Sequence, residues 1–147
     1  MLKLHPILYT LDENREFINV PECQETLQVT IEYYRAIGFS PPWIGYFVSE
    51  DNTFVGSAGI KGRPKNNKIE IAYGTFLQHR QKGIGTAICR ELVLLARQAD
   101  PAVIVTARTL PEENFSTRIL NKNNFKLLGT VWDEDDGNVW EWQYGTQ

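Results

Sequence analysis

Cysteine is scarce: Cys23 and Cys89 are the two in 147 residues. They stand far apart and at no metal-ligand spacing, so neither a disulfide framework nor a cysteine metal site is expected, and a reducing cytoplasm is the expected setting. His5 and His79 also lack ligand-spaced partners, so no metal is expected. No apolar run approaches the length of a membrane span, and Met1-Leu2-Lys3-Leu4-His5-Pro6 lacks the apolar stretch of a secretory signal. No sign of charge dominates. Lys and Arg number 15, Asp and Glu 18, for a net charge of −3. That balance removes the bulk electrostatic case for a nucleic-acid partner; a mildly acidic chain suits a cationic one. Repeats and low-complexity tracts are also missing. An apolar content of 42% and a charged content of 22% remain, the proportions of an ordinary globule. The length fits one domain over residues 1–147.

The stretch from Lys68 to Arg97 organises the rest. Ile69-Glu70-Ile71-Ala72-Tyr73-Gly74-Thr75-Phe76-Leu77 alternates and is rich in β-branched and aromatic residues, which predicts a strand. Gln78 and His79 break the pattern, and Arg80-Gln81-Lys82-Gly83-Ile84-Gly85 follows. Ile84, Ile88, Leu92, Leu95 and Ala99 then recur at helical spacing, so a helix begins inside the glycine loop and runs to about Arg97. Its first turn carries free N–H groups and the positive end of the helix dipole. Two glycines let a ligand approach the backbone, and Arg80 and Lys82 add positive charge. This combination predicts an anion seat, best matched to phosphate or pyrophosphate. A nucleotide-hydrolase phosphate loop needs four residues between its glycines and then Lys-Ser/Thr, which is not met. A dinucleotide fingerprint needs a small residue at position 88, where Ile88 stands.

Around this unit the chain predicts an α/β fold with a mixed sheet. Residues Leu4 to Leu11 hold one short strand. Glu22 to Ile37 reads as a helix with Pro21 in its first turn, Leu27, Ile31, Tyr34 and Ile37 on one face, and Gly38 at its end. Trp43–Val48 and Thr53–Ile60 read as a hairpin around Glu50-Asp51-Asn52, and Lys61–Asn67 as a solvated turn. The apolar run Ala102–Ala107 suits a buried strand parallel to the Ile69 strand, since a helix joins them. Pro111-Glu112-Glu113 starts a helix whose Phe115, Ile119 and Leu120 face the core. Phe125–Trp132 and Val139–Trp142 close the chain as a hairpin, with Asp133-Glu134-Asp135-Asp136-Gly137-Asn138 as a solvated tip.

Arg80, Gly83 and Gly85 satisfy Arg/Gln-x-x-Gly-x-Gly/Ala, and this resembles the coenzyme A pyrophosphate loop of the GNAT superfamily of N-acetyltransferases. A second segment strengthens the resemblance. Asn114-Phe115-Ser116 and the helix after it resemble the Asn-x-Ser helix of that family, which leads to a Gly-Phe pair; here the pair is Asn124-Phe125, and Asn also tolerates the left-handed conformation. Glu70-Ile71-Ala72-Tyr73 resembles the start of the family's central strand, with Arg80 ten residues after Glu70. Gly129 and Gly137-Asn138-Val139-Trp140-Glu141-Trp142 resemble the branch related to ribosomal-protein N-acetyltransferases. The match spans about Trp43 to Trp142 and is weak over the first forty residues.

The resemblance implies a single GNAT-like domain whose mostly antiparallel sheet splays at a central parallel pair, with helices on both faces and a bulge at Gly74. It implies acetyl-CoA as cosubstrate, its pantetheine arm pairing with backbone around Gly74, Thr75, Phe76 and Leu77. The pyrophosphate would rest on Arg80, Gln81, Lys82, Gly83, Ile84, Gly85 and Thr86, with Asn114 contacting the pantetheine amides. A backbone N–H near Gly74 or Thr75 would hold the oxyanion. A primary amine, small-molecule or peptide, would attack directly in a ternary complex. Glu70 would serve as base, alone or through water, or else be an ion-paired strand glutamate. Ser116, then Tyr73, would protonate the leaving thiolate; for Ser116 and Asn114 the structural alternative is helix capping. Trp43 and Tyr46, with Tyr73, would line the substrate pocket or else belong to the core. No membrane or nucleic-acid partner is implied, and the assembly is a monomer or homodimer. The rival function is a non-catalytic acyl-CoA sensor or interaction module; a nucleotide binder is disfavoured by Ile88.

Overall fold

The chain opens with strand β1 (Leu2–Pro6), inside and just ahead of the window expected to hold one. Helix α1 (Arg15–Ile18) is a single turn. Pro21–Cys23 forms a 3-10 turn, so helix α2 (Gln24–Ile37) starts slightly later than the acidic residues at its head suggest. Leu27, Ile31 and Tyr34 are buried at their helical spacing, but Ile37 is 44% exposed because the helix runs past the edge of the core. Gly38 takes φ +96° and ends it, a conformation favourable for glycine. Strands β2 (Gly45–Glu50) and β3 (Thr53–Ile60) form the expected hairpin, turning on Asp51 and Asn52 at positive φ.

Strand β4 (Lys68–Thr75), helix α3 (Ile84–Ala99) and strand β5 (Ile104–Thr109) follow. Helix α4 (Phe115–Lys122) precedes the closing hairpin β6 (Phe125–Asp133) and β7 (Gly137–Tyr144). Ile84, Ile88, Leu92 and Ala96 point into the core from α3, whereas Ala99, at the last turn, is exposed. Helix α4 does not begin at Pro111. The Asn114 side-chain oxygen accepts from the Thr117 N–H at 3.1 Å, and the Thr117 hydroxyl accepts from the Asn114 N–H at 2.9 Å. This reciprocal box satisfies two orphan donors, which outweighs the general N-terminal preference of Pro111 and the glutamates. Phe115, expected in the core, is 41% exposed as a consequence of that start.

This computed structural model describes residues 1–145. Among them the strands form one sheet of seven, in the order β1-β2-β3-β4-β5-β7-β6. All neighbours are antiparallel except β4 and β5. Helix α3 packs on β3, β4 and α4. Helix α2 covers the other face, where a Cβ on Gly45 would lie 3.0 Å from Thr30 Cγ2.

The parallel pairing runs from Lys68↔Ile104 to Ile71↔Ala107 and stops. Beyond it β4 continues along β3 to Thr75, and β5 continues along β7 to Thr109. The sheet therefore opens at its centre. Pairing of β4 with β3 is regular through Ser57↔Gly74, so the bulge expected at Gly74 is not there. It falls instead on β3, where Val48↔Gly56 is followed by Ser49↔Phe54 and Val55 is the extra residue. The Val55 carbonyl turns away from β2 and accepts the Phe76 N–H at 2.8 Å.

Candidate active site

The helix mouth comes first. Gly83 is the N-cap of α3 at φ +77°, ψ 5°, and no side chain caps the helix. Its carbonyl accepts from Ala87 at 3.2 Å. Among the described residues, no acceptor meets the backbone N–H groups of Gln81 through Thr86. Six donors at and just ahead of the positive end of a sixteen-residue helix thus have no acceptor among the described residues. Gly85 brings that mouth close to its neighbours: a Cβ there would lie 2.7 Å from Ile119 Cδ1 and 3.3 Å from Thr75 Oγ1. Arg80 donates through Nε to the Thr75 carbonyl at 3.3 Å, which fixes its guanidinium against the end of β4. Lys82 is exposed beside it, whereas the Ile84 side chain belongs to the core.

From this mouth a cleft of about 700 Å³ runs into the opening of the sheet, between β4 and the start of α4. Tyr73, Gly74, Thr75, Arg80, Gln81, Asn114 and Ser116 line it. Phe76 and Leu77 are not on its wall, and neither are Lys82, Gly83, Ile84, Gly85 and Thr86; the Phe76 N–H is taken by Val55, and Leu77 is 76% exposed on the 3-10 turn that follows β4. The oxygen of Asn114 is engaged in the cap of α4, so its Nδ2 group is what remains for a ligand. Ser116 has no capping role, and among the described residues its hydroxyl has no hydrogen-bond partner. The Tyr73 hydroxyl donates to the Ser116 carbonyl at 3.3 Å. Burial, with a smaller contribution from Cys89, raises the Tyr73 phenol well above its ordinary value. Burial likewise pushes the Cys89 thiol up to about 12, which leaves it neutral and unsuited to nucleophilic work.

Two smaller spaces adjoin the cleft. One, of about 100 Å³, lies in the gap between β4 and β5 and is lined by Glu70, Tyr73, Arg108 and Ser116. Here the Glu70 carboxylate meets Lys61 Nζ at 2.9 Å and stands 4.0 Å from Arg108 Nε. Burial alone would depress the Lys61 ammonium; the hydrogen bond and charge of Glu70 outweigh it, and its pKa ends above the ordinary value. Arg108 also donates to Asp133 at 3.0 Å and reaches Glu141 at 3.5 Å. The backbone N–H of Asp135, then the Arg108 guanidinium, holds the Asp133 carboxyl below its usual range. Lys61, Arg108, Asp133 and Glu141 were not singled out from sequence. The turn at Lys61 and the acidic run at Asp133 read as solvated, yet Lys61 lines the gap and Asp133 holds the Arg108 that lines it.

The other space, of about 230 Å³, lies under α2 and is lined by Trp43 and Tyr46, together with Tyr33, Ser57, Lys61, Tyr73 and Gly74. The Tyr46 hydroxyl donates to the Pro42 carbonyl at 2.7 Å, and burial raises its pKa to about 12. Among the described residues, no group of three or more His, Cys, Asp or Glu side chains is placed to hold a metal. Nor is any helix long and apolar enough to cross a membrane.

A sheet that opens at its parallel pair, beside a helix mouth of free amides, is the architecture of an acyltransferase domain. The family model of the acetyltransferase (GNAT) domain matches residues 4–126, and the chain belongs to the GNAT acetyltransferase family. The match reaches the first forty residues, where the sequence motifs are weak. Among curated proteins, none matches the chain. Solved structures show the same fold. The ribosomal-protein alpha-N-acetyltransferase RimL, in complex with coenzyme A, has 15% identity over 97% of this chain and 92% of its own, with a TM-score of 0.66. An acetyltransferase from Agrobacterium tumefaciens has 15% identity over 99% of this chain and 91% of its own, with a TM-score of 0.66. The microcin self-immunity acetyltransferase MccE, in complex with acetyl-CoA and AMP, has 12% identity over 87% of this chain and 72% of its own, with a TM-score of 0.64.

Proposed function

We propose that this protein transfers acetyl from acetyl-CoA to a primary amine by direct attack, with both substrates bound at once. One observation carries this: the large cleft and the cavity under α2 share Tyr73 and Gly74 as a common wall, at the point where β4 parts from β5. A cosubstrate on one side and an acceptor on the other would meet there. Holding them together turns a two-body encounter into a local one.

The residues present fit coenzyme A. The amides of Gln81 to Thr86 and the Arg80 and Lys82 side chains would take the diphosphate. The free edge of β4 from Gly74 to Thr75, with Asn114 Nδ2, would take the pantetheine arm as an added strand takes a sheet edge. Acetyl-CoA supplies the activated thioester. A nitrogen–carbon bond forms as the carbon–sulfur bond breaks; the ammonium proton goes to Glu70, directly or through water, and the leaving thiolate is protonated. A backbone N–H near Gly74 or Thr75, worth about 3 kcal/mol, would stabilise charge on the carbonyl oxygen. Ser116, whose hydroxyl is free where the large cleft meets the gap between β4 and β5, would give the thiolate its proton. Tyr73 is the second donor; burial keeps its phenol protonated. Two buried free cysteines are compatible with a reducing cytoplasm.

The pairing of Glu70 with Lys61 favours a second function, a non-catalytic acyl-CoA sensor, because a base must be free to take a proton. Thiol release from acetyl-CoA over an amine panel separates the two. Tight acetyl-CoA binding with no release on any amine supports the sensor. In the enzyme, Glu70→Gln lowers kcat at neutral pH and loses less at high pH, where the amine is already neutral; an unchanged profile removes Glu70 from the mechanism.

A further inference from the structure

The cavity under α2 exists because its floor is built from small residues. Gly45 pairs with Gly59, Gly59 with Ala72, and Ser57 with Gly74, so all five share one face of the sheet. Around this floor stand Tyr33, Ile37 and Trp43. One phenol on the wall is already committed, Tyr34 to the Ile7 carbonyl at 2.8 Å. Among the described residues, Lys61 is the sole charged side chain on the lining, and no carboxylate is part of it. The Lys61 ammonium is held by Glu70, which lines the neighbouring gap rather than this cavity.

Two limits follow for the acceptor. A dry cavity of about 150 Å³ holds one benzene ring, so a volume of about 230 Å³ takes a body of about nine heavy atoms on the same scale. A second ammonium in this space would meet Lys61 with no acid to balance it, at the cost of burying an unpaired charge. Resting on the amine acetylation proposed above, we propose that the acceptor is a small primary monoamine with an uncharged ring-bearing or branched body. Diamines and polyamines are excluded by the absence of a wall carboxylate, in spite of the net negative charge of the chain. The amino group lies toward Tyr73 and Gly74, where the cavity meets the cofactor cleft.

The test compares 2-phenylethylamine, ethylamine, spermidine and a short peptide with a free N-terminus in the thiol-release assay. Calorimetry of 2-phenylethylamine against the protein–CoA complex accompanies it. The expected order in kcat/KM is 2-phenylethylamine above ethylamine, with spermidine and the peptide lowest. Ala72→Leu raises the floor, and its effect is read as a ratio. The preference for 2-phenylethylamine over ethylamine falls about tenfold, mostly through KM, while thermal unfolding reports that the fold is kept. Spermidine or the peptide as best substrate overturns the inference, as does an Ala72→Leu effect equal for both monoamines. Should no amine release thiol while CoA binds, the transferase function fails, and calorimetry then decides the cavity separately. Binding of 2-phenylethylamine that Ala72→Leu weakens upholds the monoamine site; no binding to the parent complex overturns it.

Discussion

Replacing Gly56 by alanine puts a single methyl group where the structure has no room for it. A Cβ at this position would lie 2.3 Å from the Gly74 carbonyl oxygen and 3.1 Å from Ile88 Cδ1. Carbon and oxygen in adjacent strands rest at about 3.3 Å, so the two strands must part by about 1 Å. The obstacle is backbone, not the end of a flexible side chain. Overpacking costs about 1–3 kcal/mol in general, and a backbone obstacle belongs at the upper end. At about 2–4 °C per kcal/mol for a chain of this size, Tm falls by about 6–12 °C. The displaced segment lines both the large cleft and the cavity under α2, and under the proposed function a shift of about 1 Å there costs on the order of a hundredfold in rate. Gly59→Ala is the matched control, since its Cβ would meet Gly45 Cα at 3.7 Å and the Ile44 carbonyl oxygen at 4.0 Å, ordinary contacts. Differential scanning calorimetry of both variants and thiol release by Gly56→Ala measure the effects. A Gly56→Ala protein with the parent Tm and parent turnover would refute this account of how β3 positions β4.

Three further outcomes are expected. Gly83 sits at φ +77° with open space at its Cβ, so Gly83→Asn keeps CoA affinity nearly intact. Gly83→Asp places a negative charge about 5 Å from a bound phosphate and weakens affinity by about 1–3 kcal/mol at effective dielectrics of roughly 20–80. Equal affinities by titration calorimetry would place the diphosphate elsewhere. Ser116→Ala lowers kcat without lowering Tm, whereas Asn114→Ala loses about 1 kcal/mol of stability with the cap; a fall in Tm for Ser116→Ala would reassign it to structure. The Asp133 carboxyl is held below its ordinary 3.8 in the folded state, so its stabilisation is full above that pH and is lost as pH falls through the lowered value. The Tm gap between parent and Asp133→Asn is therefore open at pH 7 and closes below about pH 4. A gap independent of pH would mean the Arg108 contact contributes nothing through charge.

The β4–α3 unit is legible in the sequence because everything it needs is local. Alternation from Lys68, helical spacing from Ile84 and glycines at 83 and 85 fix strand, loop and helix mouth without any distant contact. The start of α4 is less so. Pro111, Glu112 and Glu113 satisfy a composition rule, while Asn114 and Thr117 make two specific hydrogen bonds, a pairing that the Asn-x-x-Thr spacing of the sequence carries. The bulge fell on Val55 and not on Gly74 because a bulge is decided between strands, here by the Phe76 amide reaching the Val55 carbonyl. The charged cluster is the least legible. Lys61, Glu70, Arg108, Asp133 and Glu141 come from five separate stretches, and only the order β3-β4-β5-β7-β6 brings them side by side.

That cluster also explains what keeps the sheet open. Two parallel strands that part after Ile71↔Ala107 leave backbone donors and acceptors bare, and the inexpensive way to satisfy them is to zip further. Zipping is opposed from both sides. Arg108, the first residue of β5 beyond the last pair, is drawn toward the closing hairpin by Asp133 at 3.0 Å and Glu141 at 3.5 Å. On the other side Ala72 through Thr75 stay in register with β3, and Gly56 admits the Gly74 carbonyl that a larger residue would push away. Glu70, at 4.0 Å from Arg108, spans the closed end of the gap without closing the rest. The opening is thus set by partners outside it, and its geometry is in place before any ligand arrives, which is the condition for backbone dipoles to act on a reacting carbonyl without reorganising.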